Sequence, residues 1–293
     1  VFAPALPLGV SFYVFTAIGY LADVSCGKVA AARSPFRFFV FLAFFGHGPS
    51  GPIVRYDQQL PCLDAKAAER QVSLDRFCYG IKRFVLGLAK KAIIADQLAL
   101  IYSRVTSVPA ATVPAPALVL GYLAYMMQLY FDFSGYSDMA IGIGSFFGLE
   151  LPENFNYPYL SCSVGEYWRR WHMSLSGWFR DYVYIPLGGS RCSLEKNCRN
   201  LLIVFLLTGL WHGAAWQYVA FGLLHGIILC MERLGLRRAR RSLPTLTRWW
   251  CCGSPSSFLA PTAWPRALPR GRASCPGRAV RRATRLPPLP IPS

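Results

Sequence analysis

Long apolar stretches with few charges are the feature that most limits what this chain can fold into. Two of them, residues 117–149 and 201–231, exceed the thickness of a bilayer when helical. The hydrocarbon core of a membrane offers the backbone no hydrogen-bond partners, so a segment of about 20 apolar residues crosses it as an α-helix. In the first stretch we predict a span followed by a Gly-rich segment. We therefore predict an all-α, polytopic transmembrane protein.

Composition supports the membrane interpretation. Charged residues account for only 15% of the 293 residues and apolar residues for 54%, whereas soluble domains carry about 25% charged residues. With so little charge, much of the surface is expected to face lipid. Aromatic residues reach 15%, which suits a protein with two membrane interfaces, where Trp and Tyr are enriched.

The net charge of +17 is concentrated at one end of the sequence. Twelve Arg and no acidic residue lie in residues 237–293, and without them 19 basic and 14 acidic residues remain. The rest of the chain has no basic stripe with interleaved aromatic residues, so we expect no nucleic-acid partner. The ten Cys are scattered without zinc-type spacing, which predicts neither a metal site nor a disulfide framework.

Other segments predict further membrane elements. Residues 1–21 are apolar without a basic start, which predicts a transmembrane helix entered midway and an N-terminally truncated chain. Residues 36–45 are too short to span and run into Gly and Pro, so we predict a re-entrant segment. Residues 57–83 are polar and amphipathic, as in an interfacial helix, and residues 84–102 predict a weaker span. Residues 150–200 are too charged to form a simple span.

The sequence divides into two parts at residue 236. Residues 1–236 are the predicted helical membrane core. Residues 237–293 are rich in Arg and Pro, contain no acidic residue and show no periodic apolar face. Such a segment cannot bury enough apolar surface to fold. We predict a disordered tail there, or an out-of-frame translation of a GC-rich gene.

Polar groups within apolar segments are candidates for function because they are costly to bury. His212 lies between Trp211 and Gly213 in an apolar segment. A neutral imidazole there can take a proton from an attacking hydroxyl, as acyl transfer to an alcohol requires. A structural histidine that donates one hydrogen bond inside a helix bundle fits the same residues. The local sequence leaves both interpretations open.

The remaining histidines have structural interpretations. We expect His225 to pack against a neighbouring helix, with a place in the same cavity as His212 as the alternative. His172 is expected to share one face of an amphipathic helix at the membrane interface with Trp168, Leu175 and Phe179.

Buried carboxylates and clustered arginines also require partners. We expect Asp132 and Asp138 to pair structurally with Arg residues, with the orientation of a catalytic group as the alternative. Four arginines are expected to reach lipid headgroups or to bind an anionic ligand such as the phosphates of coenzyme A: Arg169, Arg170, Arg180 and Arg191.

Several long motifs, in a single order along the chain, closely resemble the membrane-bound O-acyltransferase family, in its alginate O-acetylation branch. Examples are FDFSGYSDMAIG at residues 131–142 and EYWRRWHMSLS at residues 166–176. The others lie at residues 8–13, 51–56, 154–160, 178–189 and 210–216. The resemblance covers residues 5–236 and is specific because so many long motifs agree in order.

The resemblance implies a helical fold around a conical funnel that crosses the bacterial inner membrane in several passes. It implies transfer of an acetyl group from cytoplasmic acetyl-CoA towards an extracytoplasmic polysaccharide, with periplasmic acetyl-carrying proteins as partners. The family's invariant histidine falls on His212, and a second polar position of its active site falls on His172. His212 is then expected to act as a general base or in a covalent acyl relay, with His172 orienting it or the donor.

The chain also departs from the family pattern. N-terminal helices of the family are expected but missing, and beyond residue 236 nothing resembles its C-terminal helices. Around His47 the usual family motif is altered, so this histidine is expected to be idiosyncratic. The alternative functions are D-alanyl transfer to teichoic acid, acyl transfer to another glycan, and a transporter that uses buried Asp and His residues as a relay.

Overall fold

Helices make up the regular structure of the residues that the computed structural model describes, which are 9–44, 48, 50–59 and 73–235. No strand occurs among them, so the all-α prediction is confirmed for this part of the chain. The α-helices are α1 (Val10–Ser25), α2 (Pro35–Leu42), α3 (Leu74–Ala89), α4 (Asp96–Thr106), α5 (Ala115–Phe146), α6 (Val164–Arg170), α7 (Met173–Phe179), α8 (Leu194–His212) and α9 (Trp216–Arg233). Two π-helical segments, Lys90–Ala95 and Arg180–Tyr184, follow α3 and α7.

The two long apolar stretches behave differently. The first forms the single helix α5 of 32 residues, which continues through the predicted Gly-rich segment. The second breaks between α8 and α9, so that His212 ends a helix instead of lying inside one. Within the described ranges, no helix combines the length and the apolar character needed to cross a bilayer. The multi-pass topology therefore stays a prediction.

The boundaries of two other segments differ from their predictions. The predicted re-entrant segment is the short helix α2, of eight residues. The predicted weaker span is part of a longer helical run, from Leu74 to Thr106, in which a π-helical segment joins α3 to α4. Much of the predicted interfacial segment, like His47 and the tail, lies outside the described residues.

Glycines allow α3 and α5 to touch along their backbones. A Cβ atom on Gly87 would lie 2.5 Å from the carbonyl oxygen of Gly135, and one on Gly142 would lie 2.6 Å from that of Gly80. The two glycines of each helix are seven residues apart, so both pairs meet on one seam. Small residues at such a seam let helices approach closely, which explains why the Gly-rich half of α5 stays helical.

Ion pairs reinforce the same seam. Asp138 of α5 contacts Arg83 at 2.7 Å and Lys90 at 2.5 Å. Asp132, one turn and a half earlier, contacts Lys91 at 2.9 Å. The predicted structural pairing of both aspartates is confirmed, although lysines share the role expected of arginine.

An aromatic core joins α1 to the helices α6–α9. Its buried members include Phe12, Trp171, Trp178, Phe179 and Phe205. Many large apolar side chains nevertheless remain on the surface. The core is the part of the fold in which the candidate histidines lie.

Candidate active site

His172 lies at a break between two short helices, so the prediction of one continuous amphipathic helix is wrong. α6 ends at Arg170 and α7 begins at Met173. His172 has a left-handed backbone, with φ 45° and ψ 56°, a conformation that costs a residue with a Cβ atom about 1–2 kcal/mol. The residue is only 3% exposed. Its imidazole therefore faces the interior, and surrounding contacts must maintain the backbone against this cost.

A buried amide holds His172 in place. Asn154, which is fully buried, places its Oδ1 atom 2.9 Å from Nδ1 of His172. The backbone carbonyl of Asn154 also accepts from the N–H of Met173 at 2.9 Å. Its side-chain amide donates to Oγ of Ser137 on α5 at 3.2 Å. Asn154, which lies in the loop before α6, thus stabilises the break between α6 and α7.

The other imidazole nitrogen of His172 has no partner among the described residues. Within the described residues, its Nε2 atom is buried and makes no hydrogen bond. Aromatic rings surround it: Phe133 edge-on with centroids 4.7 Å apart, Phe12 at 6.3 Å and Trp211 at 6.1 Å. A buried polar atom without a partner costs free energy, and such an atom in a native structure needs an explanation.

His212 occupies the last position of α8. Its ring lies 4.6 Å from that of Trp211 and 5.5 Å from that of Phe221. Tyr218 stacks on it at 6.2 Å. The residue after it must be small, because a Cβ atom on Gly213 would lie 2.5 Å from the Tyr218 ring. In the described part of the chain no hydrogen bond to the imidazole is found, and both interpretations of His212 stay predictions.

Trp211 links the two histidines predicted as catalytic. The centroid of its indole lies 6.1 Å from that of the His172 ring and 4.6 Å from that of the His212 ring. Its Nε1 atom is buried without a hydrogen bond among the described residues. The structure therefore brings two imidazoles and an unpaired indole N–H into one aromatic environment.

His225 belongs to the packing of α9, as expected. Its Nδ1 atom donates to the carbonyl oxygen of Phe221, one turn earlier, at 2.9 Å. Rings of Trp168 and Phe221 lie 5.1 Å and 4.4 Å away. This arrangement satisfies the side chain within its own helix.

A cavity of about 410 Å³ lies between α6 and α7 on one side and α8 and α9 on the other. Its wall combines apolar rings with three guanidinium groups, from Arg169, Arg180 and Arg233. Neither His172 nor His212 lines it. Leu175 and Thr208, which do line it, lie about one turn from the two histidines. Of the four arginines singled out from the sequence, two face this cavity.

Residues of the 51–56 motif contribute contacts that no local pattern indicated. The backbone N–H of Ile53 donates to Oγ of Ser174 at 3.0 Å. Arg55 donates to the carbonyl oxygen of Gly177 at 3.3 Å and forms an ion pair with Asp181. The motif thus fastens α7, the helix that follows His172.

Comparisons with known proteins identify the family of the chain. A sequence profile of the membrane-bound O-acyltransferase family matches residues 31–254. The probable alginate O-acetylase of Azotobacter vinelandii is 46% identical over 245 residues, which cover 83% of this chain and 48% of that protein.

The chain belongs to the membrane-bound O-acyltransferase family.

Other members of the membrane-bound O-acyltransferase family differ in their named acceptors. The peptidoglycan O-acetyltransferase of Helicobacter pylori is 36% identical over 271 residues, covering 83% of this chain and 51% of that protein. The teichoic acid D-alanyltransferase of Bacillus subtilis is 33% identical over 234 residues, covering 76% and 58%. The chain thus spans about half the length of the curated relatives it matches.

The family match also bears on the two parts predicted from sequence. The match continues to residue 254, beyond the motif resemblance, which covers residues 5–236. The proposed division at residue 236 falls outside the described residues and stays a prediction.

Proposed function

We propose that this chain carries the reaction centre of a membrane-bound O-acyltransferase that moves an acetyl group from acetyl-CoA towards an extracytoplasmic polysaccharide. The observation that carries the proposal is that the imidazoles of His172 and His212 both lie against Trp211, and that Nε2 of His172 is buried without a partner among the described residues. Family membership and the 46% identity to a probable alginate O-acetylase support acetyl transfer to an alginate-like glycan.

The reaction assigns complementary roles to the two histidines. His212 takes the proton of the acceptor hydroxyl as its oxygen attacks the thioester carbonyl carbon of acetyl-CoA. The C–O bond forms, the C–S bond breaks, and the coenzyme A thiolate leaves with the proton returned by the imidazolium. His172 accepts a hydrogen bond through Nε2 and so holds the reacting groups in place. Aromatic walls exclude water, which strengthens both interactions.

The cavity between α6–α7 and α8–α9 is the proposed place for the coenzyme A part of the donor; neither histidine lines it, so the thioester must extend beyond its wall to reach them. Its volume of about 410 Å³ is within the range of small-molecule sites. Its apolar wall suits the pantetheine arm, and Arg169, Arg180 and Arg233 suit phosphates, since guanidinium groups bind phosphate through paired hydrogen bonds.

The proposed function also implies a membrane location and partner proteins. Exposed apolar side chains such as those of Ile93 and Trp216 suit contact with a lipid bilayer. The proposed bilayer is the bacterial inner membrane, which the enzyme crosses several times. Periplasmic proteins that carry the acetyl group to the polysaccharide are the proposed partners. Transfer of D-alanine to teichoic acid is the second candidate, favoured less because the identity to that relative is 33% instead of 46%.

Complementation tests the proposal. The chain is expressed in an alginate-producing host that lacks its own alginate O-acetylase, together with a chimera in which its matched 245-residue segment replaces the corresponding segment of the Azotobacter relative. Base-labile acetyl groups on alginate are measured after feeding labelled acetate. The variants His212→Gln and His172→Gln are compared with His225→Asn, which keeps the donor to Phe221.

We expect acetylated alginate with the unaltered segment and with His225→Asn, and none with His212→Gln. Equal acetylation by His212→Gln would remove this residue from the reaction. A chimera that reaches the membrane in folded form but acetylates nothing would contradict the proposed function.

A further inference from the structure

Asn154 is placed where it decides which nitrogen of His172 carries a proton. The amide is fully buried, and its Oδ1 atom lies 2.9 Å from Nδ1 of His172. The two residues are 18 positions apart and belong to different segments. The contact therefore depends on the tertiary fold and not on a local turn.

The hydrogen-bond network fixes the orientation of the Asn154 amide. The backbone N–H of Ser174 points to Oδ1 at 3.3 Å, and a backbone N–H can only donate, so this atom is the carbonyl oxygen. The hydroxyl of Ser174 donates to the same oxygen at 2.9 Å, while it accepts from the backbone N–H of Ile53 at 3.0 Å. Both donors of Ser174 thus point to Oδ1, and the N–H of Ile53 fixes the direction of the Ser174 hydroxyl.

The tautomer of His172 follows from this orientation. A carbonyl oxygen only accepts, so Nδ1 must carry the hydrogen, and in a neutral imidazole Nε2 then holds the lone pair. That lone pair belongs to the buried nitrogen that has no partner among the described residues. The opposite tautomer would set two lone pairs against each other at 2.9 Å and leave an N–H group buried without an acceptor.

We propose that Asn154 is a positioning residue for acyl transfer: its carbonyl oxygen locks His172 with the proton on Nδ1 and keeps Nε2 free to accept from substrate. The catalytic consequence rests on the proposed function, whereas the tautomer does not. Hydrogen bonding of one imidazole nitrogen to set the role of the other is a general device of histidine sites.

His225 supplies an internal comparison. It has the same donor geometry, with Nδ1 pointing to a carbonyl oxygen at 2.9 Å, but that carbonyl belongs to Phe221 of its own helix. A change at Asn154 should therefore alter the tautomer of His172 and leave that of His225 unchanged.

The tautomers can be read directly by magic-angle-spinning NMR of the full chain in lipid bilayers with ¹⁵N,¹³C-labelled histidine. The sequence contains only four histidines, and His172→Gln and His225→Asn assign two of them. We expect a protonated Nδ1 at His172 in the unaltered chain. Asn154→Leu, which is similar in volume but has no acceptor, should lose this signature, and Asn154→Asp, which retains an acceptor, should keep it.

Acetyl transfer is measured on the same variants. We expect Asn154→Leu to lower the rate at saturating donor by roughly 100-fold, as for a misplaced catalytic group, and Asn154→Asp to recover most of it. Asn200→Leu is the matched control, because Asn200 is also fully buried but bonds to the carbonyl of Leu187.

Three results would overturn the inference: a protonated Nε2 at His172 in the unaltered chain, the same tautomer in Asn154→Leu, or the same loss of signature in Asn200→Leu. Transfer that stays unchanged in Asn154→Leu despite a changed tautomer would overturn the positioning role. If the unaltered chain transfers no acetyl group, the proposed function fails, and the NMR result still decides whether Asn154 sets the tautomer.

Discussion

Gly209 of α8 and Gly222 of α9 touch each other through their backbones. A Cβ atom added to Gly209 would lie 3.3 Å from Cα of Gly222 and would overlap the carbonyl oxygen of Tyr218. Because His212 lies one turn beyond Gly209, this contact sets the distance between its ring and those of Tyr218 and Phe221.

The substitution Gly209→Ala should therefore displace the ring of His212, which lies one turn away. The added methyl group meets backbone atoms that cannot rotate away, so we expect a loss of about 1–3 kcal/mol in unfolding free energy and a fall in acetyl transfer of at least tenfold. Chemical unfolding in detergent and the alginate assay measure the two effects. Gly177→Ala is the control, since its nearest neighbour is Arg55 at 3.6 Å; similar damage by both changes would refute the argument.

The two aspartates of α5 should differ in their contribution to stability. The side chain of Asp138 is 10% exposed and pairs with both Arg83 and Lys90, whereas that of Asp132 is 41% exposed and pairs with Lys91. Asp138→Asn leaves Lys90 without its carboxylate and leaves Arg83 paired with Glu153 alone, and we expect it to cost about 1–3 kcal/mol. Asp132→Asn should cost about 1 kcal/mol or less. Unfolding midpoints of the two variants check the order, and equal values would contradict it.

Glu232 should stabilise the start of α6. Its carboxylate accepts from the backbone N–H groups of Val164 at 2.7 Å and Gly165 at 2.9 Å, and so ties α9 to that helix end. We expect Glu232→Ala to lower the unfolding free energy by about 1–3 kcal/mol, because two N–H groups lose their acceptor. Glu195→Ala changes an exposed acid in the first turn of α8 and should have little effect. Equal losses from both variants would show that charge, not the cap, matters.

Lowering the pH should reveal the contribution of Asp181 to the stability of the fold. This residue lies in the charged region 150–200, outside the predicted spans. Burial raises the pKa of Asp181, but hydrogen bonds and positive charge from Arg180 and Arg55 outweigh it and hold the pKa below its ordinary value of 3.8. The ionised form is therefore favoured by folding. Its contribution is complete above about pH 4 and is lost as the pH falls through the folded-state pKa.

The unaltered chain should consequently lose more thermal stability than Asp181→Asn between about pH 6 and about pH 2.5. Melting curves at both pH values for the two proteins give the difference. Parallel losses in both proteins would show that Asp181 is not responsible. Asp57→Asn, at an exposed position, controls for the removal of one negative charge.

Local sequence patterns predicted the all-α class and the need of Asp132 and Asp138 for basic partners, because apolar runs and buried charges act through near neighbours. His212 and His172 were both identified as candidates, and the structure places them against one indole. The break at His172 could not be predicted. The spacing of Trp168, His172 and Leu175 fits a helix, and the contact that overrides it comes from Asn154, on another segment.

The glycines also show that local sequence does not predict contacts between separate segments. Gly135 and Gly142 indicated a Gly-rich stretch after a span, whereas both lie inside α5, because the backbone of α3 packs where their side chains would be. Only the pairing of the two helices shows why these residues are small. Arg55 and Ile53 likewise belong to a visible motif, but their contacts with α7 require the fold.

At position 172 the left-handed backbone and the proposed chemistry favour different residues. Glycine would adopt the same φ and ψ without the steric cost, so the backbone alone would select glycine there. On the proposed role of His172, a lineage that performs acyl transfer must keep the imidazole despite that preference, whereas one that has lost the reaction is free to replace it. Replacement of histidine by glycine at this position would thus indicate descendants that keep the fold but have lost the reaction.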